Sequence, residues 1–415
     1  MKVLYRGMLA VLLYLLLALC LGGCGQEKIL EEVVETVSLE TEKPQIQKPD
    51  IPEKTETQDN SEEEIASLLW DTEFHFAYDT LNEYEQIWYT EIAESLGSMK
   101  EKIELSQEGL NASMDEEDID RIFQCVLIDH PEIFYVDGYT YTKYTRGDQL
   151  VSIEFTGTFS MDWEKASARR KEIEKAVKPL LDQGLKITGD YEKIKFVYET
   201  IIYGTDYDLN AVDNQNIYSV FVNGASVCQG YAKAMQFLLN RLGIECVLVQ
   251  GSVENGEGHA WNLVKADGSY YYVDATWGDA SYQPETEGEL DSFHVPDINY
   301  DYLCITTEQL LMTHTIESMI PLPACIAVQD NYYVHEGALF TEYDKEQMRE
   351  LFRSSFEKGK EEVTFKCADR VCYEEIKASL IDSQDVFDYL TSASDSVAYT
   401  HNDKQLSMTF WVTNE

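Results

Sequence analysis

The dipeptide Asp267-Gly268 lies between two β-rich runs, residues 260–264 and 270–273. An Asp-Gly pair in this setting is a strong signal for a β-hairpin with a two-residue loop. That register places Asp274 opposite Trp261 and makes His259 its diagonal neighbour on the same face, about 7–8 Å away by backbone. The hairpin therefore predicts a hydrogen bond between an imidazole and a carboxylate. A three-residue loop would break this parity.

A helix is predicted to begin at Cys228, upstream of the hairpin. The apolar residues that follow recur at helical spacing, and the pattern stops at Gly243, a natural helix end. The stripe consists of Ala234, Met235, Phe237, Leu238, Leu239 and Leu242. A thiol at a helix start faces unpaired backbone N–H groups and the positive end of the helix dipole, which favour the thiolate.

A thiol, an imidazole and a carboxylate in this order are the groups that activate a cysteine nucleophile. His259 would take the proton of Cys228 or form a thiolate–imidazolium pair with it, and Asp274 would fix the tautomer of the ring. The backbone N–H of Cys228 would donate to a tetrahedral oxyanion. We therefore predict Cys228, His259 and Asp274 as catalytic residues.

Three segments of the chain resemble the transglutaminase-like superfamily, a papain-related group in which a cysteine heads a helix and histidine and aspartate lie on following strands. They are Cys-Gln-Gly-Tyr-Ala at 228–232, Gly-His-Ala-Trp-Asn at 258–262 and Val-Asp-Ala-Thr-Trp at 273–277. The resemblance covers roughly residues 190–280 and implies an α+β fold, with the cysteine helix packed on an antiparallel sheet. Residues 129–135 resemble a segment found upstream of such domains in bacterial surface proteins.

The resemblance implies acyl transfer from a protein or peptide amide through a Cys thioester, by cross-linking, deamidation or hydrolysis. Two alternatives are a cysteine peptidase or amidase acting on cell-wall or extracellular peptides, and a non-catalytic surface module that binds proteins. Trp261, Trp277 and Tyr207 are candidates for substrate binding, although the two tryptophans are equally typical of core aromatics.

No cofactor and no metal are predicted. Cys228, Cys246, His259 and Asp274 include ligand types that suit zinc, but the chain has no CxxC or HxxxH pair. The remaining histidines show no partner in the sequence pattern and are interpreted as ordinary surface or core residues. They are His75, His130, His294, His314, His335 and His401.

The N-terminus has the features of an export signal. Residues 1–23 start with Lys2 and Arg6, continue with an apolar run and end in a Leu-Gly-Gly-Cys segment that resembles a bacterial lipobox. Cys24 is the predicted lipidation site, and a plain cleaved signal or an uncleaved anchor is the alternative. We expect an extracytoplasmic protein held at the cell membrane by a lipid. Residues 24–64, acidic and poor in aromatics, are predicted to be a disordered tether.

The formal net charge of −44 argues against nucleic acid as a partner. It favours cationic partners or substrates, or serves only to keep an exported protein soluble. The expected partners are a protein or peptide substrate and the membrane, through the N-terminal lipid.

Periodicity and length predict three folded regions after the tether. Residues 65–185 form an N-terminal α+β region, 186–320 the catalytic domain and 321–415 a small C-terminal α+β domain. Within the first region the pattern predicts helices and one hairpin, and within the last it predicts alternating strands and helices. The predicted helices are 65–70, 78–96, 119–128, 163–181, 191–203, 344–356 and 374–379, and the predicted strands include 139–144, 150–159, 332–339 and 363–366.

Overall fold

The computed structural model describes residues 3–5, 72–100, 102–146, 149–280, 298–360, 362–390 and 397–412. Helices pack against three separate four-stranded sheets and one two-stranded sheet in these residues, which confirms the predicted α+β class. The predicted signal sequence, Cys24 and the acidic tether lie outside the described residues, apart from the short strand Val3–Tyr5. Among the described helices, none is both long enough and apolar enough to cross a membrane.

Helices make up most of the N-terminal region. They are α1 Phe76–Asp79, α2 Glu83–Gly97, α3 Gln107–Asn111, α4 Glu116–Asp129, α5 Trp163–Gly184 and α6 Asp190–Gly204. The single helix predicted over 78–96 is wrong at its start. The Asn82 side chain accepts hydrogen bonds from the backbone N–H of Tyr84 and Glu85 and begins a new helix there. This polar cap divides the predicted helix into α1 and α2.

One sheet belongs to this region, with strand order β1-β3-β4-β2. Its strands are β1 Val3–Tyr5, β2 Ile103–Glu104, β3 Val136–Arg146 and β4 Gln149–Phe159. Strands β3 and β4 pair antiparallel, which confirms the predicted hairpin. Three aromatic rings fill the space between this sheet and α4: the ring of Tyr139 lies 4.7 Å from Phe123 and 5.4 Å from Phe155 between centroids.

The central region contains the cysteine helix and the predicted hairpin. In chain order it has β5 Asp206–Tyr207, β6 Ala225–Ser226, α7 Cys228–Arg241, β7 Cys246–Val253, β8 Gly258–Ala266, β9 Ser269–Val273, α8 Ala275–Gly278, α9 Thr307–Leu310 and β10 His314–Ile316. Short helical turns occur at Ser219–Asn223 and Tyr300–Tyr302.

The four-stranded central sheet is antiparallel, in the order β10-β7-β8-β9. Its β8–β9 pairing runs from Ala266 opposite Ser269 to Asn262 opposite Val273, so the hairpin has the two-residue loop that the sequence predicts. Helix α7 packs on this sheet, and the side-chain amide of Asn262 donates to the carbonyl of Ala232 at 2.9 Å. This confirms the predicted helix on an antiparallel sheet.

The C-terminal region has a third sheet, in the order β11-β12-β14-β13. Its elements are α10 Tyr332–His335, β11 Leu339–Phe340, α11 Lys345–Glu357, β12 Glu362–Cys367, α12 Arg370–Lys377, β13 Val397–Asn402 and β14 Ser407–Val412, with helical turns at Ala378–Asp382 and Asp385–Tyr389. The strand predicted over 332–339 is wrong. The Asn331 side chain accepts from the backbone N–H of Tyr333 and starts a helical turn instead.

A buried polar cluster joins the C-terminal sheet to the central region. The Lys366 ammonium, 2% exposed, lies 3.6 Å from Asp301 and donates to the side chain of Gln405 at 2.9 Å. Asp301 also accepts from Ser407 at 2.7 Å and from Tyr333 at 2.9 Å. These contacts join residues on the two sides of residue 320, the predicted domain boundary. The boundary itself stays a prediction.

The variant Asp301→Asn should destabilise the protein, because it leaves the buried ammonium of Lys366 without its countercharge. We expect the free energy of unfolding in urea to fall by about 3 kcal/mol. The double variant Asp301→Asn with Lys366→Met should recover part of that loss. Glu350→Gln, which breaks an exposed pair with Arg353, is the control and should change little. If Asp301→Asn and Glu350→Gln lowered the free energy of unfolding equally, the importance of the buried pair would be contradicted.

Candidate active site

Cys228 is the first residue of α7 and is half-buried. Val227 before it is extended, with φ −120° and ψ 179°, and its carbonyl accepts from the backbone N–H of Gly230 and Tyr231. The preceding strand is held by Ser226, whose hydroxyl lies 2.7 Å from the carbonyl of Asn214. The thiol is thereby fixed at the helix start, as the sequence predicts.

Gly230 lets the first turn of α7 lie close to this strand. A Cβ atom at Gly230 would stand 1.9 Å from the hydroxyl of Ser226 and 3.1 Å from the carbonyl of Asn214. A larger side chain would displace the Ser226 hydroxyl from its hydrogen bond with Asn214. The glycine in the Cys-Gln-Gly-Tyr-Ala segment is therefore explained by packing.

His259 and Asp274 meet at one end of the hairpin. His259 lies on β8, opposite Gly251 of β7, and its Nε2 is 2.7 Å from Asp274 Oδ2. Asp274 follows β9 and caps α8: its Oδ1 accepts from the backbone N–H of Thr276 at 2.9 Å and of Trp277 at 3.1 Å. The hairpin brings the two side chains together as its register predicts.

The electrostatics of this pair favour an imidazolium beside a carboxylate. Burial of His259 opposes its protonation, but the charge and hydrogen bond of Asp274, together with a hydrogen bond to Cys228, raise its pKa to about 10. Burial likewise opposes ionisation of Asp274, yet His259 and His314 hold the pKa of that carboxyl well below its usual range. Since Asp274 occupies Nε2 of His259, the ring has Nδ1 left for the thiol of Cys228.

His314 is a site residue that the sequence interpretation missed. It lies on β10, and its Nε2 is 3.1 Å from the same Oδ2 atom of Asp274. The interpretation as an ordinary surface or core histidine agrees with its burial but did not place it beside Asp274. The strand is only three residues long, so its sequence carries no alternation that would place it in the sheet. Gly251 allows the approach of β10, because a Cβ there would stand 2.0 Å from the carbonyl oxygen of Thr315.

Two tryptophans surround the paired imidazoles. Trp261 is 1% exposed and lies 5.8 Å from His259 and 5.0 Å from His314 between ring centroids. Trp277 is half-buried and lies 6.1 Å and 4.8 Å from the same rings. The burial of Trp261 favours its interpretation as a core aromatic, whereas Trp277 stays a candidate for substrate binding.

Tyr207 stays a candidate as well. It is half-buried on β5 and pairs with Ser226, two residues before the nucleophile candidate, and its ring lies 6.3 Å from that of Tyr231. This places Tyr207 beside the strand that leads into α7.

Donor atoms of His259, Asp274 and His314 lie within 4.8 Å of one another, a spacing that can also hold a metal ion. Each imidazole Nε2, however, is at hydrogen-bond distance from the carboxylate, so the cluster is satisfied by its own hydrogen bonds. This group of described residues does not include Cys246. The Cys246 thiol lies at the start of β7, opposite Val264, and burial raises its pKa. The zinc alternative that used Cys246 is therefore not supported.

The segment 129–135 supports the far end of the cysteine helix. Glu132 lies 2.7 Å from His130 and 3.6 Å from the guanidinium of Arg241, the last residue of α7. Gln236 of the same helix donates to the carbonyl of Ile128 at 2.7 Å. These buried contacts fix α7 against the N-terminal region and thus help to position Cys228.

The comparison with protein families agrees with this geometry. Residues 181–275 match the family model of the transglutaminase-like superfamily. This part of the chain is a transglutaminase-like domain. The match includes α7 and the hairpin and ends directly after Asp274.

Relatives and solved structures match only part of the chain. Kyphoscoliosis peptidase of Mus musculus is 25% identical over 130 residues, which are 27% of this chain and 20% of the relative. The Homo sapiens protein is 25% identical over 105 residues, which are 21% of this chain and 16% of the relative. The chain thus spans about a fifth of these relatives. A TGase structure is 17% identical and covers 34% of this chain and 46% of its own, with a TM-score of 0.26. The periplasmic domain of TgpA from Pseudomonas aeruginosa is 13% identical and has a TM-score of 0.22; the match covers 35% of this chain and 73% of that domain.

The raised pKa of His259 makes stability depend on pH. Its pKa of about 10 in the folded protein exceeds the ordinary value, so the stabilisation is present at low pH and is lost as the pH rises through about 10. Between about pH 6.5 and about pH 9.5, wild type should lose about 3 kcal/mol more unfolding free energy in urea than His259→Gln. His401→Gln, at a half-exposed histidine, should keep the wild-type profile. Parallel profiles for wild type and His259→Gln would contradict the assigned ion pair.

Proposed function

We propose that this protein is a transglutaminase-like cysteine enzyme that acts on protein or peptide amides through a thioester on Cys228. One observation carries the proposal: His259 Nε2 lies 2.7 Å from the buried carboxylate of Asp274, and Cys228 is one of the groups that raise the pKa of this imidazole. This arrangement is the one by which a cysteine is activated for attack on a carbonyl.

Each residue has a defined task in the reaction. The Cys228 sulfur attacks the amide carbon, and the resulting oxyanion is stabilised by the N–H of Cys228 at the helix start. The carbon–nitrogen bond then breaks while the imidazolium of His259 gives its proton to the leaving amine. Water or a second amine next attacks the thioester and gives a proton to His259, and the carbon–sulfur bond breaks to release the Cys228 thiolate, which restores the thiolate–imidazolium pair. Asp274 orients the ring throughout and stabilises its charged form.

Hydrolysis and transfer to an amine use the same first half-reaction and differ in the second nucleophile. The kyphoscoliosis relatives are called peptidases, which favours hydrolysis for this chain as well. The net charge of −44 favours cationic peptides or proteins as substrates. Export and membrane anchoring through a lipid on Cys24 belong to the same proposal and rest on the N-terminal sequence.

The proposal predicts that Cys228→Ala abolishes amide turnover while the fold is retained. A basic peptide library and a glutamine-containing protein would be incubated with the enzyme, with and without a fluorescent primary amine. Mass spectrometry would follow cleavage, deamidation and amine incorporation. We expect Cys228→Ala to lower the rate at least about 10³-fold. Cys325→Ala removes a buried thiol elsewhere and should keep activity.

A covalent intermediate would give direct support. Rapid acid quenching should leave the acyl group of the substrate on the tryptic peptide that contains Cys228. Full turnover by Cys228→Ala would contradict the proposal. Absence of amide turnover in the wild type as well would instead favour the alternative of a non-catalytic surface module that binds proteins.

A further inference from the structure

The Asp274 carboxylate is shared between two imidazoles. Its Oδ2 atom lies 2.7 Å from His259 Nε2 and 3.1 Å from His314 Nε2, while Oδ1 is occupied by backbone N–H groups. The three side chains are nearly excluded from solvent, with exposures of 5% for His259, 1% for Asp274 and 3% for His314. A buried carboxylate needs donors, and the second imidazole is one that the proposed mechanism does not use.

The surroundings of His314 define which of its nitrogens carries the proton. Its Nδ1 lies 2.8 Å from the hydroxyl of Thr313, whereas that hydroxyl lies 3.5 Å from its other acceptor, the carbonyl of Leu310. The shorter contact is the better hydrogen bond, so the hydroxyl donates to Nδ1. Nε2 then carries a proton and donates to Asp274, so both ring nitrogens of His314 have a hydrogen-bond partner.

We propose that His314 is a positioning residue that donates its Nε2–H to Asp274 and thereby limits how strongly this carboxylate holds the proton of His259. The hydrogen bond spreads the carboxylate charge over two donors. A hydrogen bond to the charged form of an acid lowers its proton affinity. The imidazolium of His259 is consequently a stronger acid than it would be beside an unshared carboxylate.

This role matters for catalysis if the proposed function holds. The imidazolium must give its proton to the leaving amine, and a general acid works best when its pKa lies near the working pH. The pKa of His259 is already raised to about 10. A further rise would slow proton release, so a second donor on Asp274 favours turnover.

Further contacts hold His314 in place from several elements. Trp277, Trp261 and Tyr302 surround its ring at 4.8, 5.0 and 5.8 Å between centroids. Behind it, the side chain of Gln405 donates to Thr313 at 3.5 Å. That glutamine accepts from Lys366 at 2.9 Å.

Titratable groups of the described residues approach His314 from several elements. His259, Asp274 and Tyr302 face its ring directly. Cys228 acts through His259, and Lys366 with its partner Asp301 lies behind Gln405. Substitution of His314 leaves all these other groups in place, so a change in the titration of His259 reports on the hydrogen bond to Asp274.

The test is the pKa of His259, measured by NMR with isotope-labelled histidine in the Cys228→Ser protein and assigned by loss of its signal in His259→Gln. His314→Leu removes the donor and should raise the pKa of His259 by about one pH unit. His314→Gln keeps an N–H donor of similar reach and should stay within a few tenths of the parent value. An unchanged or lowered pKa in His314→Leu would overturn the proposal.

If His314→Leu does not fold, Thr313→Val decides the matter. It removes the hydroxyl that fixes the tautomer of His314, so a smaller rise in the pKa of His259 is expected, and no rise would overturn the proposal. The titration does not depend on a substrate. A rise in pKa in a protein without amide turnover would leave this role of His314 intact and overturn the proposed function instead. With turnover, His314→Leu should lower kcat more than it changes KM, and His314→Gln should restore it.

Discussion

A buried carboxylate, Asp274, is the constraint on which the candidate site depends. It is 1% exposed, and a charge in such a place is stable only when donors surround it. These donors come from separate elements: the first turn of α8 bonds Oδ1, and imidazoles on β8 and β10 bond Oδ2. Asp274 meets both imidazoles because of three features of the sheet: its strand order, the close approach of β10 at Gly251 and the register of the hairpin.

The local part of this arrangement was predictable from the sequence. The Asp-Gly loop fixes the pairing of β8 and β9, and side-chain parity then brings His259 to Asp274. The stripe after Cys228 predicts the helix that carries the thiol. Both inferences rest on short-range patterns, which is why they agree with the structure.

The long-range part was not predictable. His314 follows Asp274 by 40 residues and lies on a strand of three, so its contact with the carboxylate depends on tertiary packing. The error at 332–339 has a different cause: a tyrosine and valine run is typical of a strand, but the Asn331 cap turns it into a helix. The break at Asn82 in the N-terminal region is of the same kind. Capping by asparagine competes locally with the apolar pattern.

The C-terminal region has a closer relation to the site than its sequence indicates. Lys366 and Gln405 form a buried chain of contacts that reaches Thr313 and, through it, His314. The C-terminal region therefore supports the second imidazole through Thr313, the residue directly before β10. The charge of Asp301 keeps Lys366 in this chain.

The central claim is that Asp274, through His259, activates Cys228. It is tested most directly by the rate of alkylation with iodoacetamide from about pH 4 to about pH 9, mapped to each cysteine by mass spectrometry, in wild type and Asp274→Asn. Burial raises the pKa of the other described thiols, Cys125, Cys246, Cys304, Cys325, Cys367 and Cys372. The account predicts that Cys228 reacts far faster than these below about pH 6 and that Asp274→Asn loses this selectivity. Equal reactivity of all thiols, or an unchanged profile in Asp274→Asn, would contradict it.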